Sequence, residues 1–420
     1  MANNLHYESI YRDIMKSVLR YFTILLAGGL AACVQTQENL SEFYPVSYQN
    51  LSGWDKENYG QLLTLFRQNC QYLEKLPPNR HLGGVQGLFG GQAQDWLQSC
   101  NAANAVNVAD PARAKQFFET WLQPYQYTIN GTTGKVTGYY EPDVEGSTVR
   151  TDVYKVPVYG KPRDLIARKN TDGQIEYGFI QGGLFVPYYT RAQIDQGALS
   201  GKGLEIAWVK GPIDLFFMQI QGSGRIVLPD GQILRLGYAG KNGQPYTALG
   251  RLMIDQGLMD SQSINMFSVR AWLHSHPEQA VSLMEQNKNY VFFRRLTDQN
   301  HDTGPIGTLG APLTAGRSVA VDKQWIPLGV PLWLETTMPS PAQNQTDSLV
   351  RYPWKRMVFA QDVGGGVTGM SRVDLFTGWG AQAGWYAGLM NEEGKVFILL
   401  PRRSEQQSLP ITTTQQPSAQ

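Results

Sequence analysis

The stretch MVFAQDVGGG at residues 357–366, with RVDLFTG at 372–378 shortly after it, decides the fold class of this chain. Each stretch is a run of apolar, strand-forming residues that carries one carboxylate, Asp362 or Asp374, and closes on glycine. Short apolar runs that stop at glycine turns indicate β-strands rather than long helices. The C-terminal part of the chain, residues 300–401, is therefore predicted to be strand-rich.

Helix-like and strand-like patterns alternate upstream of this region. Residues 55–125 have a mainly helical pattern, in which Asp110 and Pro111 mark a helix start. Helical patterns return at 246–286. The predicted strands between these helical regions are Val136–Pro142, Val153–Tyr159, Leu204–Val209, Leu215–Ile220 and Ile233–Tyr238. This order predicts an α+β fold, mainly β, in which a β-rich domain is inserted into another domain and the groove between them is the binding site.

The length and composition agree with two domains that each bury a core. The chain has 420 residues, of which 42% are hydrophobic and 17% charged, and its formal net charge is +1. Proteins that bind nucleic acids usually have a basic character that this near-neutral chain lacks. We therefore expect no nucleic-acid partner.

The N-terminal residues have the pattern of a secretory signal. Lys16 and Arg20 precede an apolar run at 21–32, which is shorter than the roughly 20 residues needed to span a bilayer. The sequence LAAC at 30–33 is similar to a bacterial lipobox, in which cleavage leaves an acylated cysteine, here Cys33. An ordinary signal peptide with a chance cysteine is the alternative.

Processing at this site would divide the N-terminus into a removed segment and an anchor. We expect residues 1–32 to be removed, Cys33 to carry the lipid and residues 33–50 to form a tether. Met15 directly precedes the basic residues and is an alternative start codon. Val34, rather than aspartate, follows the cysteine. By the usual sorting tendency this favours a periplasmic protein anchored to the outer membrane.

The other two cysteines are Cys70 and Cys100. In an exported protein this pair can form a disulfide, and the sequence leaves a disulfide and two free thiols as alternatives. The pair supplies too few ligands for a metal site. We expect no metal and no cofactor.

Three aspartates in the C-terminal region are candidates for acid chemistry: Asp322, which ends the apolar run SVAVD at 318–322, Asp362 and Asp374. A carboxylate flanked by buried strand residues is partly withdrawn from water, which raises its pKa towards that of a working general acid. The structural alternative is that each aspartate caps a turn or accepts backbone N–H groups. Composition does not decide between the two interpretations.

Polar and aromatic side chains suited to a carbohydrate lie in the predicted strands. If Phe216–Arg225 is a strand, alternation places amides and a hydroxyl on one face, where they can bind hydroxyl and N-acetyl groups. These residues are Gln219, Gln221 and Ser223. Three tyrosines are candidates for stacking on sugar rings: Tyr139, Tyr140 and Tyr238. A polar strand face that only contacts water is the alternative.

Motifs of other catalytic classes do not compete with the three aspartates. The chain contains no Gly-x-Ser-x-Gly elbow, no His-Glu-x-x-His and no phosphate-binding glycine loop with Lys-Ser/Thr. Gly222-Ser223-Gly224 is similar to a fragment of the elbow but lacks its spacing.

Ordered motifs between about residue 110 and residue 401 resemble the membrane-bound lytic transglycosylase A family. The motifs are GYYEP at 138–142, QGSG at 221–224, YAGKNG at 238–243, VFF at 291–293, IPLG at 326–329, QDVGG at 361–365 and AGWYAG at 383–388. They occur in the order and at the spacing of the family, whereas the region before residue 110 matches only loosely.

The resemblance implies a fold and a division of the chain. Residues from about 305 to 401 are similar to the three-aspartate barrel of the family, a double-psi β-barrel. Domain A would comprise 51–140 and 291–401, and the inserted domain B would comprise 141–290. The tail at 402–420 is rich in Ser, Thr, Gln and Pro and is predicted to be disordered.

The resemblance also implies residue roles. Asp374 occupies the position of the catalytic acid, and Asp362 and Asp322 occupy those of supporting aspartates. Lys241 and Asn242, in the YAGKNG motif, join the predicted substrate-binding residues. At the position after GYY, here a glutamate, family members differ, and no role is assigned to it.

The implied activity is a lytic transglycosylase reaction on peptidoglycan glycan strands. Protonated Asp374 would cleave the β-1,4 bond between N-acetylmuramic acid and N-acetylglucosamine, and the muramoyl C6 hydroxyl would close a 1,6-anhydro ring. Two alternatives stay open. One is a two-carboxylate hydrolase with Asp362 or Glu141 as the base, and the other is a wall-binding lipoprotein without catalysis. Partners in a cell-wall synthesis complex are compatible with such an anchored enzyme.

Overall fold

The structure of the protein is a computed structural model, in which capping residues mark the starts of N-terminal helices. It describes residues 41–84, 90–129, 133–170, 175–296, 302–340 and 350–402. The predicted signal peptide, the lipidation site Cys33 and the tail after residue 402 lie outside these described residues. Within the described ranges, no helix is both long and apolar enough to cross a bilayer.

The N-terminal helices are α1 (Tyr59–Leu73), α2 (Leu97–Asn104) and α3 (Pro111–Trp121). The side chain of Asn58 accepts the N–H of Gln61 at the start of α1, and Asp110 with Pro111 starts α3 as predicted. Cys70 of α1 and Cys100 of α2 form a disulfide, which decides between the two alternatives for these thiols.

In chain order the strands are β1 (Ser41–Pro45), β2 (Leu122–Ile129), β3 (Gly134–Glu141), β4 (Asp143–Ser147), β5 (Val156–Tyr159), β6 (Ile166–Lys169), β7 (Ile175–Gln181), β8 (Leu184–Pro187), β9 (Glu205–Val209), β10 (Gly224–Val227), β11 (Ile233–Lys241), β12 (Val291–Arg295), β13 (Ser318–Val321), β14 (Pro331–Pro339), β15 (Arg351–Asp362), β16 (Arg372–Trp379) and β17 (Asn391–Pro401). The mixture of these strands with helices confirms the predicted α+β, mainly β, class.

The first sheet contains eight strands in the order β1-β2-β17-β14-β15-β13-β16-β3, and β17 also pairs with β3. This additional pairing closes β17, β14, β15, β13, β16 and β3 into a barrel. The pairs β13–β15 and β16–β3 are parallel, whereas the other pairs in the barrel are antiparallel. The double-psi pattern of connections stays a prediction.

The core of the barrel continues into the N-terminal helices. Trp333 of β14 is fully buried, and Trp54 packs edge-on against it with ring centroids 5.2 Å apart. Leu62 and Phe66 of α1 belong to the same buried cluster. The helices therefore cover one side of the barrel and share its hydrophobic core.

The segment after β3 forms two further sheets. The second sheet has the order β12-β11-β10-β4-β9-β5, and the third has the order β6-β7-β8. The remaining helices are α4 (Pro212–Gln221), α5 (Leu249–Asp255), α6 (Met266–Ser275), α7 (Pro277–Glu285) and α8 (Gly380–Leu389), with a helical turn at Arg191–Gln193 that continues into a π-helical turn at Ile194–Ala198.

Three predictions on elements and boundaries need correction. Residues 41–45, expected in the tether, form β1, which pairs with β2. β12 belongs to the second sheet, so the chain returns to the first sheet after Arg295 and not at residue 291. The predicted strand Leu215–Ile220 lies in helix α4, which has Pro212 in its first turn and the left-handed Gly222, with φ 80°, at its end.

Candidate active site

Alternate residues of strand β3 contact the charged side chains of the candidate site. Thr137, Tyr139 and Glu141 point to one side of the strand because side chains alternate. β16 runs parallel to β3 with Asp374 opposite Thr137. The catalytic candidate is therefore placed by strand register, between β3 on one side and β13 on the other.

Asp374 is half-buried, and only one of its two oxygens is held by the protein. The hydroxyl of Thr137 donates to Oδ1 of Asp374 at 2.6 Å. Arg372 Nη2 donates to the oxygen of that same hydroxyl at 2.6 Å, which directs the hydroxyl hydrogen towards Asp374. Oδ2 of Asp374 has no hydrogen-bond donor among the described residues and can carry a proton.

Burial raises the pKa of Asp374 above its ordinary value. The guanidinium of Arg372 and the hydrogen bond from Thr137 act against this shift, while the negative charge of Asp362 adds to it. The carboxyl of Asp374 therefore keeps its proton to higher pH than an exposed aspartate does, as a general acid requires.

Asp362 lies two strands away from Asp374 across β13. Ala320 pairs with both aspartates, so their Cα atoms are about 10 Å apart at the usual strand spacing. Asp362 Oδ1 accepts the N–H of Thr308 at 3.0 Å and its hydroxyl at 2.8 Å, and Oδ2 accepts the hydroxyl of Tyr139 at 3.1 Å. Burial raises the pKa of Asp362, and these hydrogen bonds oppose the shift.

Asp322 organises a loop in this structure. Its Oδ1 accepts the N–H of Gln324 at 3.0 Å, and its Oδ2 accepts the N–H of Gly369 at 2.8 Å. These bonds join the turn after β13 to the loop that precedes β16. Asp322 thus supports the position of the catalytic strand through backbone contacts.

Glu141 is fully buried between two arginines. Its Oε2 lies 2.8 Å from Arg225 Nε and 3.1 Å from Arg235 Nη2. Glu141 ends β3, whereas both arginines belong to the second sheet, on β10 and β11. The ion pairs therefore connect the end of β3 in the first sheet to β10 and β11 in the second sheet. The buried carboxylate cannot contact a substrate.

Gln219 and Asn242, predicted to bind substrate, are buried and saturated by internal hydrogen bonds. Gln219 accepts from Arg191 Nη1 at 2.6 Å and donates to the carbonyl of Val291 at 3.2 Å. The amide of Asn242 bonds the backbone of Tyr189, Lys288 and Tyr290. Both predictions are wrong, because these amides satisfy buried backbone groups instead of facing a groove.

Gln221 and Ser223 were also expected on the polar face of a strand, but residues 212–221 form helix α4, which ends before Ser223. The side chain of Gln221 ends α4 and accepts the N–H of Tyr140 at 3.0 Å, which ties this helix to β3. Ser223 is buried in the turn before β10. Residues 212–221 are helical, so these side chains do not alternate along a strand as predicted.

The tyrosines and Lys241 have different exposures. Tyr139 and Tyr140 are both buried, and the Tyr140 ring packs against Gly384 of α8. The prediction that these two rings stack on a sugar therefore does not fit the structure. Tyr238 of β11 is 48% exposed and Lys241 is half-buried. Tyr238 and Lys241 stay predictions for substrate binding.

The structure adds Tyr246, which sequence patterns did not single out. It lies between β11 and α5, and a methyl group on Gly366 would be 3.4 Å from its Cε1. Burial and the negative charge of Asp374 raise the pKa of its hydroxyl. Tyr246 therefore reaches from the inserted segment to the loop beside the two aspartates, although it stays 39% exposed.

Thr137, Thr308 and Arg372 were also missed. Alternation with Tyr139 along β3 could have indicated Thr137, and Arg372 is close to Asp374 in sequence. Thr308 carried no local signal, since its contact with Asp362 spans 54 residues. Among the described residues, no group of three His, Cys, Asp or Glu side chains is placed to hold a metal ion.

Comparisons with known proteins identify the family that this chain is similar to. Residues 135–294 match a family model described as the MltA specific insert domain, and residues 317–400 match the 3D domain. The curated membrane-bound lytic murein transglycosylase A of Escherichia coli K12 is 33% identical over 338 residues, which cover 80% of this chain and 81% of that protein.

Solved structures extend the similarity to the fold. The membrane-bound lytic murein transglycosylase from Agrobacterium tumefaciens is 33% identical, with a TM-score of 0.75 and coverage of 86% of this chain and 98% of that one. E. coli MltA with bound chitohexaose is 25% identical, with a TM-score of 0.57 and coverage of 87% and 93%, respectively.

Proposed function

We propose, since this chain belongs to the membrane-bound lytic murein transglycosylase A family, that it cleaves peptidoglycan glycan strands with Asp374 as catalytic acid. The observation that carries the proposal is the asymmetric environment of this carboxyl. Thr137 holds Oδ1, burial favours the protonated form, and Oδ2 has no donor among the described residues. The chitohexaose bound to the E. coli relative supports a glycan as ligand.

The first half of the reaction uses the proton of Asp374. The acid donates it to the glycosidic oxygen between N-acetylmuramic acid and N-acetylglucosamine, and the C1–O bond breaks through an oxocarbenium-like state. The leaving sugar departs with a 4-hydroxyl group, and Asp374 is left as a carboxylate. Thr137 then stabilises this charge through its hydrogen bond.

The second half uses the same carboxylate as a base. Asp374 accepts the proton of the muramoyl C6 hydroxyl, whose oxygen attacks C1 and closes the 1,6-anhydro ring. The attack is intramolecular, so it has a high effective concentration and needs no activated water. Asp374 ends the cycle protonated, and one residue therefore serves both steps.

Two observations disfavour the hydrolase with a second carboxylate. Glu141 is wholly buried between Arg225 and Arg235. Asp362 accepts three hydrogen bonds, from Thr308 and Tyr139, and these bonds make it a weaker base for activating a water molecule. In the proposed mechanism Asp362 supports Asp374 through its charge and its contact with Tyr139.

We also propose that Cys33 anchors the chain to a membrane, with the body in the periplasm and the outer membrane as its site. LAAC at 30–33 and Val34 support this placement, and the E. coli relative is named as membrane-bound. Growth with a radioactive fatty acid should label the wild type but not Cys33→Ala. Equal labelling of both proteins would contradict the anchor.

Product analysis tests the activity. Purified cell walls digested with the wild type should release fragments with 1,6-anhydromuramoyl ends, detected by mass spectrometry. Asp374→Asn keeps the size of the side chain but cannot act as the acid, so product formation should fall by about 10³-fold. Asp362→Asn should lose less, because it removes a supporting group.

Two outcomes would contradict the proposal. Free reducing ends on the muramoyl products would indicate hydrolysis, and a larger loss in Asp362→Asn than in Asp374→Asn would reverse the assigned roles. Circular dichroism of both variants controls for misfolding. Wall binding by the wild type without any product would favour the non-catalytic alternative.

A further inference from the structure

A basic cavity lies where the N-terminal segment meets β15. Its volume is about 460 Å³, and its lining includes Lys56, Lys355 and Arg356. Trp354 in the same lining precedes Asp362 by eight residues in β15, which is about 26 Å along an extended strand. The cavity is therefore separate from the site at Asp374.

The cavity carries an excess of positive charge. Lys56, Lys355 and Arg356 are exposed, and none of them pairs with a carboxylate in the part of the chain that the structure describes. Glu57, the one carboxylate in the described lining, lies 2.9 Å from Arg317, and both of these side chains are buried. Since this pair is neutral, the described lining has a net positive charge.

The surrounding side chains hold these cations in place and add neutral binding groups. Lys355 donates to the hydroxyl of Ser52, and the Arg356 guanidinium lies 5.6 Å from the ring centre of Trp354. Tyr352 presents an aromatic surface that is 40% exposed. Asn58 and Gln61 contribute amides to the lining. The cavity thus combines cations with groups that suit a peptide or sugar.

We propose that this cavity binds the carboxylates of peptidoglycan stem peptides. The inference rests on the proposed function, which makes the cell wall the substrate, and adds a second contact with it. A concave surface with unpaired cations focuses its field on one small anion, and charge-assisted hydrogen bonds then hold a carboxylate. A membrane surface is the less suitable partner, because a cavity encloses a single group whereas lipid headgroups form a broad layer.

A sedimentation assay with intact and peptide-free walls tests the inference. The full-length protein carries Asp374→Asn, so that the walls are not digested, and a second version adds Lys56→Gln, Lys355→Gln and Arg356→Gln. Binding to intact walls should weaken about tenfold, since three charged contacts are removed. Binding to glycan strands stripped of their peptides by an amidase should not change.

A matched control removes three exposed lysines elsewhere: Lys75→Gln, Lys155→Gln and Lys210→Gln. Equal weakening in the control would overturn the inference in favour of general charge attraction. Loss of binding on peptide-free strands, or no loss on either wall, would also overturn it. A loss seen with phosphatidylglycerol vesicles but not with intact walls would assign the cavity to lipid headgroups instead.

The outcome can be separated from the fate of the proposed function. With Asp374 intact, the triple variant should release anhydro products from peptide-free strands at the rate of the wild type. Absence of such products from both proteins would contradict the proposed activity, while the sedimentation result would still report on the cavity.

Discussion

At the scale of single residues, the hydrogen bonds from Arg372 through Thr137 determine which oxygen of Asp374 carries the proton. Arg372 donates to the Thr137 hydroxyl, which must then donate to Asp374 Oδ1. This order leaves Oδ2 without a donor among the described residues, and the proposed mechanism assigns this oxygen to the glycosidic bond. The same arginine lowers the pKa of Asp374, although burial has the larger and opposite effect. Arg372 therefore limits how far burial raises the pKa of Asp374.

Arg372→Gln should move the alkaline limb of the pH profile of kcat to higher pH. The positive charge of Arg372 lowers the pKa of Asp374, so its removal raises that pKa and keeps the acid protonated longer. The rate of anhydro-product formation between pH 4 and pH 9 would measure the alkaline limb of this profile. Arg372→Lys keeps the charge and should stay near the wild type. A shift of Arg372→Gln to lower pH would contradict the proposed balance.

Asp374→Asn should gain stability relative to the wild type as pH rises. The pKa of Asp374 is raised in the folded protein, so its carboxyl contributes stability below the unfolded value of about 3.9. That contribution is lost as pH rises through the folded pKa, whereas asparagine does not titrate. Thermal unfolding of both proteins at pH 4 and pH 7 measures the difference. A Tm difference that shrinks with rising pH would argue against a raised pKa.

At the scale of elements, β3 connects Asp362 and Asp374 to the inserted segment. One face of this strand contacts Asp374 through Thr137, Asp362 through Tyr139 and two arginines through Glu141. The arginines come from β10 and β11, so any displacement of the second sheet acts on the strand that also holds the carboxylates. A strand serves this purpose well, because its alternate side chains keep a fixed spacing.

Glu141→Gln should destabilise the protein by about 3–5 kcal/mol, because it removes the buried negative charge that contacts both Arg225 and Arg235. Urea unfolding followed by circular dichroism measures the free energy of unfolding. Glu145→Gln is the control. Its carboxylate is 70% exposed and 3.9 Å from Lys210, so less than about 1 kcal/mol is expected. Equal losses in the two variants would show that burial of Glu141 does not matter.

At the scale of the whole molecule, the two parts of the chain meet beside the carboxylates of Asp362 and Asp374. The chain leaves the first sheet after Glu141 and returns after Arg295, and Tyr246 reaches back from this excursion to Gly366. Asp374 itself belongs to the barrel, whereas the exposed ring of Tyr246 belongs to the inserted segment. In the proposed function, a glycan bound at Asp374 would contact both parts.

Tyr246→Ala should lower kcat/KM for wall cleavage by about fivefold, because an aromatic ring that packs on a sugar contributes on the order of 1 kcal/mol. The ring next to Gly366 is lost, while the barrel and Asp374 are left in place. Tyr246→Phe keeps the ring and should lose much less. Steady-state release of anhydro product measures both variants. A larger loss in Tyr246→Phe would assign the effect to the hydroxyl instead.

Much of the fold was predictable from local pattern. The strand-rich C-terminal region, the start of α3 at Asp110 and the three aspartates were all visible, because caps, turns and apolar runs depend on neighbours in the chain. The apolar run that forms α4 was misread as a strand. The consecutive side chains from Leu215 to Gln219 are all buried, so neither a helical nor a strand period stands out in this run.

The sequence by itself determined the fold class and the order of the motifs, and through them the family and the choice of Asp374. Only the tertiary structure decided which groups surround this acid. Thr137 is 237 positions from Asp374, and Glu141 is 84 and 94 positions from its two arginines. Such contacts depend on strand register and on burial from several elements at once, which no local pattern specifies. For the same reason the buried Gln219 and Asn242 could not be distinguished from residues that face a ligand.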